Sequence, residues 1–441
     1  MAYGSKDGKR LMEFASKINH SAIIQSNEIQ DFLKNCIEID FDIESHTLPE
    51  AVEIKYNLPQ EIKHIFAIDG SYSESYIKRK FPSVSLTYFN IGVLSFEMHN
   101  YDTITANILI DPAELKKLKE VSKTAFAIPT RKLNLKTEET FLNGVRRTIN
   151  DVFSKKEYSS LKTNPLYDTL EWIVFEKWEN TVQEIKINCV NDECNGNIVL
   201  YRGERYKICP DCNEKIYLSD YLRLDALINE VTGSAGINAF LCSAMEQLYI
   251  AEIIKYFYEN NKSSLATIVF IKDGSLAFFS KTFQLTRKFR NLMKYLNSNK
   301  IEINLIGLEK SGPFKDHACL IADKLEKGKY YICNEEYIRQ YIEPRETEIF
   351  YGSNTYYGKK VMFKTETGDV LIAVIPVKEY KESNTADEFI NAETCLNIVS
   401  KLRCNMYDDS LVPVVIINKL VSIAAMPSAN ILEKFTKNIL K

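Results

Sequence analysis

The sequence predicts an α/β protein, a mixed sheet flanked by helices with a small metal-binding ribbon inserted, and three observations carry that prediction. Two short apolar runs, IFAIDGS and ATIVFIKDGSL, each end in Asp-Gly-Ser, as a buried strand does when it enters a tight turn. From Ala239 onward, helical and strand-like stretches alternate, which argues for parallel pairing on an α/β sheet. Four cysteines fall in two close pairs, the spacing of a metal knuckle repeated.

Taken in order, residues 10–38 place Leu11, Phe14, Ala15, Ile18, Ala22, Ile23 and Ile24 at helical intervals, an amphipathic opening suited to docking on the core or on a partner. The first Asp-Gly-Ser strand follows, then strands at Ser83–Phe89, Ile91–Phe96 and Thr103–Ile110, read as an antiparallel meander. Helical spacing marks Glu138–Phe153 and Tyr167–Ile185. A helix over Ala239–Glu259 leads into the second Asp-Gly-Ser strand, and a helix over Thr286–Asn297 leads into the strand INLIGLEKSG. The strands KVMFKT and VLIAVIPV and one or two helices after Pro413 close the chain. The expected division is an N-terminal helical segment at 1–60, core at 61–185, ribbon at 186–216 and core again at 217–441.

The 441 residues are 45% apolar and 26% charged, an ordinary globular balance. A formal charge of −3 excludes a global electrostatic pull on nucleic acid, so any such binding must come from local patches. The opening MAYGSKDGKR lacks the apolar run of a signal peptide, and no stretch reads as a membrane span, which predicts a cytoplasmic protein without membrane contact.

Asp69 and Asp273 both stand at the carboxyl ends of apolar strands, where open α/β sheets gather functional groups, and the glycine after each permits a sharp turn. Hydrolysis of phosphodiesters with hard divalent ions needs further carboxylates on the same cation. Glu246 falls in register with Ile250, Ile253 and Phe257 on the apolar stripe of its helix, whereas Glu252 aligns with Lys255, Tyr256 and Glu259 on a wetter face. Glu246 is therefore the preferred third carboxylate.

FAIDGS, the glutamate-bearing helix and FIKDGSLAFF resemble the NurA nucleases, and GLEKSGPFKDHA, YGSNTYYGKKVMFKT and LVPVVIINKLVSIA resemble segments of a bacterial branch, in that order. The resemblance covers most of the chain from about residue 60 onward. It implies an RNase H-like fold, DNA as substrate, manganese or magnesium bound by Asp69, Glu246 and Asp273, and a homodimer working beside a HerA-type hexameric ATPase in phage defence or DNA-end processing. Many members carry a histidine where this chain has Asn418. The chain has no Walker motif, so any ATP-driven motion must come from a partner. The other reading is a non-catalytic zinc-ribbon adaptor of the same motor.

Further candidates are Lys310, to hold a phosphate, and His317, to ligate metal or move a proton, with a surface lysine and a loop histidine as the plain alternative. Tyr356, Tyr357 and Lys359 combine rings and charge for DNA, or simply pack in a strand. Arg146 and Arg147 could face DNA or solvent. Four residues lie between Cys189 and Cys194, two between Cys209 and Cys212, and fourteen between the pairs. That set predicts a closed structural Cys₄ zinc site, with NIVLYRGERYKI as strand, turn and strand and Arg202, Arg205 and Lys207 beside it.

Overall fold

A computed structural model describes residues 21, 23–36, 47–55, 61–105, 120–404, 410–423 and 428–439. The chain divides into two units, Met1–Thr47 and Leu48–Lys441. In the first, the helix Asn27–Lys34 begins at Ser26, whose hydroxyl accepts from the Ile29 N–H. Leu11, Phe14, Ala15, Ile18 and Ala22 lie outside the described residues.

The second unit is organised by a nine-stranded sheet. Its strands are β1 (Ala51–Glu53), β2 (His64–Lys78), β3 (Val84–Glu97), β4 (Glu120–Arg131), β9 (Ile268–Asp273), β10 (Asn304–Glu309), β11 (Lys329–Ile332), β12 (Gly358–Lys364) and β13 (Val370–Pro376). The intervening strands β5 (Glu184–Asn188), β6 (Asn197–Tyr201), β7 (Tyr206–Ile208) and β8 (Lys215–Tyr217) form two separate hairpins. The large sheet runs β1-β11-β12-β13-β10-β9-β2-β3-β4. β9 is parallel to both β2 and β10, and the other pairs are antiparallel.

Each face of the sheet carries its own core, because alternate strand residues point to opposite sides. Ile68, Phe270 and Leu305 meet the helices Phe141–Ser154, Leu166–Val174, Asn238–Asn260 and Gln284–Ser298. Ala67, Ile271 and Leu308 meet the helices Ala392–Lys401 and Val412–Val421. Gly92 is needed here, since a β-carbon would stand 2.6 Å from both Ile417 Cδ1 and Val421 Cγ1. The stretch Ala235–Asn260 is long and apolar enough to cross a membrane, but 83% of its most apolar window is buried inside the protein.

Several expectations change. Ser83–Phe89 and Ile91–Phe96 are one strand, because Asn90 stays in extended register opposite Ser71 and its side-chain amide donates to Val421 O at 2.9 Å. Thr103–Thr105, where the strand Thr103–Ile110 was expected to begin, end the helix Met98–Thr105, and residues 106–110 are outside the description. The helix expected over Tyr167–Ile185 stops at Val174; Glu176 and Asn180 take left-handed backbone and turn the chain into β5. Ala51–Glu53 joins the sheet edge beside β11, within the segment expected to be helical. β2 does not end at Asp69 but runs on to Lys78, and beyond Ile68 it pairs with β3 and no longer with β9.

Candidate functional site

Period-two alternation decides where the acidic residues point. Asp69 lies two residues beyond Ala67 and Asp273 two beyond Ile271, so both take the face of the sheet covered by Val412–Val421. Lys272 and Gly70 take the opposite face, under the helix Asn238–Asn260 that carries Glu246. A β-carbon at Gly70 would stand 2.9 Å from Glu246 Oε1 and 2.7 Å from Cys242 Sγ. The first Asp-Gly therefore does not make a turn; its glycine lets the helix lower a carboxylate onto the strand next to Asp69. The second does turn, with Gly274 at φ +99° and its N–H donating to Leu308 O at 2.7 Å.

The three carboxylates meet different counter-charges. Glu246 accepts from the buried Lys272 Nζ at 2.8 Å, and the same ammonium donates to Asp273 O at 3.0 Å. Asp273 is paired through Oδ2 with Lys310 Nζ at 2.6 Å. Asp69 accepts the Gly70 N–H at 2.8 Å. Burial, then the nearby Asp273 and Glu246, push the Asp69 carboxyl up to about 7, against the pull of that N–H and of Lys310. Burial also pushes Glu246 up, opposed mainly by Lys272. The Lys272 ammonium is pushed down by burial but held above its ordinary value by Glu246. The ionised pair is the form that satisfies both groups, because a neutral Glu246 would leave a buried ammonium without its counter-charge.

Beside Asp273 opens a cleft of about 510 Å³, lined by Asp273, Ser275, Glu309, Lys310, Tyr351, Tyr356 and Lys360 among others. Glu309 ends β10 as Asp273 ends β9; it accepts from the Ser275 hydroxyl and from Lys360 Nζ, the latter at 2.9 Å. Sequence reasoning passed over Glu309, Lys360 and Lys272, although Glu309 carries the same signal as Asp273, an acid closing a buried parallel strand.

The remaining candidates are distributed as follows. Lys310 and Tyr356 line the cleft. Tyr357 is fully buried against Phe278 and Phe289. Lys359 points to the other side of its strand from Lys360, with Nζ 3.3 Å from Glu382 O, and burial lowers it to about 8. His317 packs in a separate cluster, its Nε2 2.7 Å from the Tyr337 hydroxyl. Glu252 is buried too, not on a wet face, and accepts from Ser160 N and Oγ at 2.8 and 2.7 Å. Arg146 is buried in ion pairs with Asp220 at 2.6 Å and Glu214 at 3.0 Å, while Arg147 pairs with Asp151 at 3.1 Å. Asn418 is exposed on the helix Val412–Val421.

The four cysteines converge, with all sulfurs within 4.8 Å of one another, Cys189 3.5 Å from Cys212 and Cys194 3.8 Å from Cys209. Each close pair brackets the turn of one hairpin, Cys189 and Cys194 between β5 and β6, Cys209 and Cys212 between β7 and β8. NIVLYRGERYKI is strand, turn and strand as read from the sequence, with β6 pairing to β5 and β7 to β8. The Gly196 N–H donates to Cys194 Sγ at 3.4 Å, and a β-carbon there would stand 3.0 Å from Cys209 Sγ.

No family model and no curated protein matches the chain. Among the solved structures that resemble it are three of NurA. They are the NurA nuclease from Sulfolobus solfataricus, 11% identical over 97% of this chain and 98% of that one with a TM-score of 0.36; a NurA crystal structure, 14% identical over 97% and 99% with a TM-score of 0.27; and NurA with manganese, 13% identical over 96% and 98% with a TM-score of 0.22. The superpositions are loose.

Two outcomes follow from the carboxylate geometry. Gly70→Ala will displace the Glu246 carboxylate, destabilising the fold by about 1–3 kcal/mol, which thermal melting measures; an unchanged melting temperature would contradict the close approach. Because Asp69 titrates higher folded than unfolded, the metal-free protein gains stability below the unfolded value of 3.8 and loses it as pH rises through about 7. Asp69→Asn removes that loss and stabilises the metal-free protein at pH 8 by on the order of 1–3 kcal/mol; denaturant unfolding at pH 5 and pH 8 reads the difference, and equal pH dependence in both proteins rules it out.

Proposed function

We propose that the protein is a divalent-cation-dependent deoxyribonuclease of the NurA type, acting at the carboxyl edge of its central sheet. The observation that carries this reading is the placement of Asp69 and Asp273 next to each other on the parallel strands β2 and β9, with the Glu246 carboxylate lowered onto Gly70 beside them. Such crowding of acids is unfavourable in the free protein and is relieved by a hard cation, for which the oxygens of Asp69 and Asp273 are suitable donors. The order β4-β3-β2-β9-β10, antiparallel from β4 to β2 and parallel from β2 to β10, supports the RNase H-like assignment.

Bound there, Mg²⁺ or Mn²⁺ would supply Lewis acidity at the phosphate and activation of the attacking water. Asp69 and Asp273 would hold the cation from one face of the sheet, with Glu246 setting the charge from the other. Lys310, about a third exposed, is free to exchange Asp273 for a phosphate oxygen as the cation takes over the carboxylate. The cleft beside it, with Tyr351 and Tyr356 in its wall, gives the flanking nucleotide a place. A HerA-type ATPase and a second copy of the chain belong to the proposal as the resemblance implies them; with a charge of −3 and no ATP-binding loop, the chain gains most from a motor that delivers DNA.

The cysteine quartet we assign to structural zinc. Zn–S bonds of about 2.3 Å give a tetrahedral edge of about 3.8 Å, close to the 3.5 and 3.8 Å sulfur separations. Four thiolates leave no open position, so the metal holds the hairpins together. 

On linear DNA with Mn²⁺, purified protein should release nucleotides, and Asp69→Ala or Asp273→Ala should lose about 10²-fold or more of that rate with the fold intact by circular dichroism. Undiminished cleavage by either variant, or cleavage in excess EDTA, would sink the assignment. Elemental analysis should find about one zinc per chain, and its chelation should lower the melting temperature, because Ile187, Ile198 and Ile216 of the hairpins belong to the main core. Zinc-free protein with the same melting temperature would rule the site out.

A further inference from the structure

Lys272 is nearly sealed within the protein, its side chain 4% exposed against 32% for Lys310. Both lysines neutralise carboxylates of the same cluster, yet only one of them has a path to solvent. Lys272 projects to the helix side of the sheet, where its ammonium lies 2.8 Å from Glu246 Oε2 and 3.0 Å from the Asp273 carbonyl. A β-carbon on Gly274 would stand 3.4 Å from the same nitrogen, so backbone closes around it. The other Glu246 oxygen faces the Cys242 thiol at 3.7 Å and the bare α-carbon of Gly70.

We infer that Lys272 is a built-in cation that restricts this site to a single divalent ion, held by Asp69 and Asp273, with Glu246 committed to the ammonium. The inference rests on the nuclease reading above and deepens it. Metal sites that hold two ions about 3.5–4 Å apart need carboxylates to bridge and flank both of them. Here the oxygen that could flank a second ion is already bonded, and the ammonium occupies the space beside it. Displacing Lys272 would bury its charge without a partner, a penalty of the kind that makes broken buried ion pairs strongly destabilising. Lys310 presents no such barrier, since solvent can receive its ammonium when a cation claims Asp273. The two lysines therefore divide the work. Lys310 yields to the metal on the open face; Lys272 stands permanently in place of a second metal and keeps Glu246 in position.

The test counts ions without relying on turnover. Zinc-replete, full-length protein is titrated with Mn²⁺ by calorimetry, and its electron paramagnetic resonance spectrum is recorded at saturation. One Mn²⁺ per chain with an uncoupled six-line spectrum is the expected result. Lys272→Met, similar in length and uncharged, should release Glu246 and admit a second Mn²⁺ per chain with the broadened spectrum of a coupled pair, while Lys272→Arg should keep the count at one. Two coupled ions in the unmodified protein overturn the inference and leave the nuclease reading standing, and this arm holds even if Lys272→Met fails to fold. A folded Lys272→Met protein that still binds one ion also overturns it. Absence of any Mn²⁺ uptake overturns both the inference and the metal-dependent reading on which it rests.

Discussion

Three carboxylates brought to one edge of a sheet repel one another, and in a setting poor in water that repulsion must be answered locally. Each is answered differently here. Asp69 retains its proton up to about 7. Glu246 is matched by a lysine buried with it. Asp273 is matched by a lysine in contact with solvent. The surrounding architecture serves this arrangement: the parallel pair β2 and β9 sets the two aspartates side by side, and the missing side chain at Gly70 admits the third acid from the helix above. Replace either constraint and the cluster disperses, because charged groups separate wherever packing allows them to.

Much of this was legible in the sequence. An acid at the end of an apolar run, followed by glycine, marked Asp69 and Asp273, and helical phase marked Glu246, since a strand edge and a helix face are local properties of the chain. What local pattern could not supply was the reason for the glycines. Gly70 and Gly274 look alike in sequence, but one permits a side chain's approach and the other a turn, a difference decided by what packs overhead. Lys359, the lysine picked out in the sequence, lies on the far side of its strand from the cleft, which Lys360 lines; one step along a strand exchanges one face for the other. Glu252 escaped because its partner is a loop ninety-two residues earlier in the chain. The short strands Ala51–Glu53 and Lys329–Ile332 have too few residues for a period; the first is held by its pairing with the second, and the second also by its pairing with β12.

The cysteine segment is less separate than an inserted module would be. Arg146 reaches from the helix Phe141–Ser154 to Glu214, to the Lys215 carbonyl at 2.5 Å and to Asp220, besides Asn143 of its own helix, so the second hairpin is tied to the body by a buried guanidinium. A residue read from the sequence as facing DNA or solvent is thus committed inside the protein. The apolar sides of both hairpins share the core of the helical face.

The overhang of β2 past β9 has an implication outside chemistry. From Asp69 to Lys78 the strand keeps β3 on one side, and no described strand takes up the other. A bare edge of that length is a template on which another extended chain can add. The protein blunts it with helices: Ser71 bonds the carbonyl at the end of Val412–Val421, Arg79 pairs with Glu433, and the neighbouring strand's Tyr88 meets Thr436 at 2.8 Å. The last helix, Ser428–Ile439, thus lies against the overhanging strand, where a covered edge offers less of a template for strand addition.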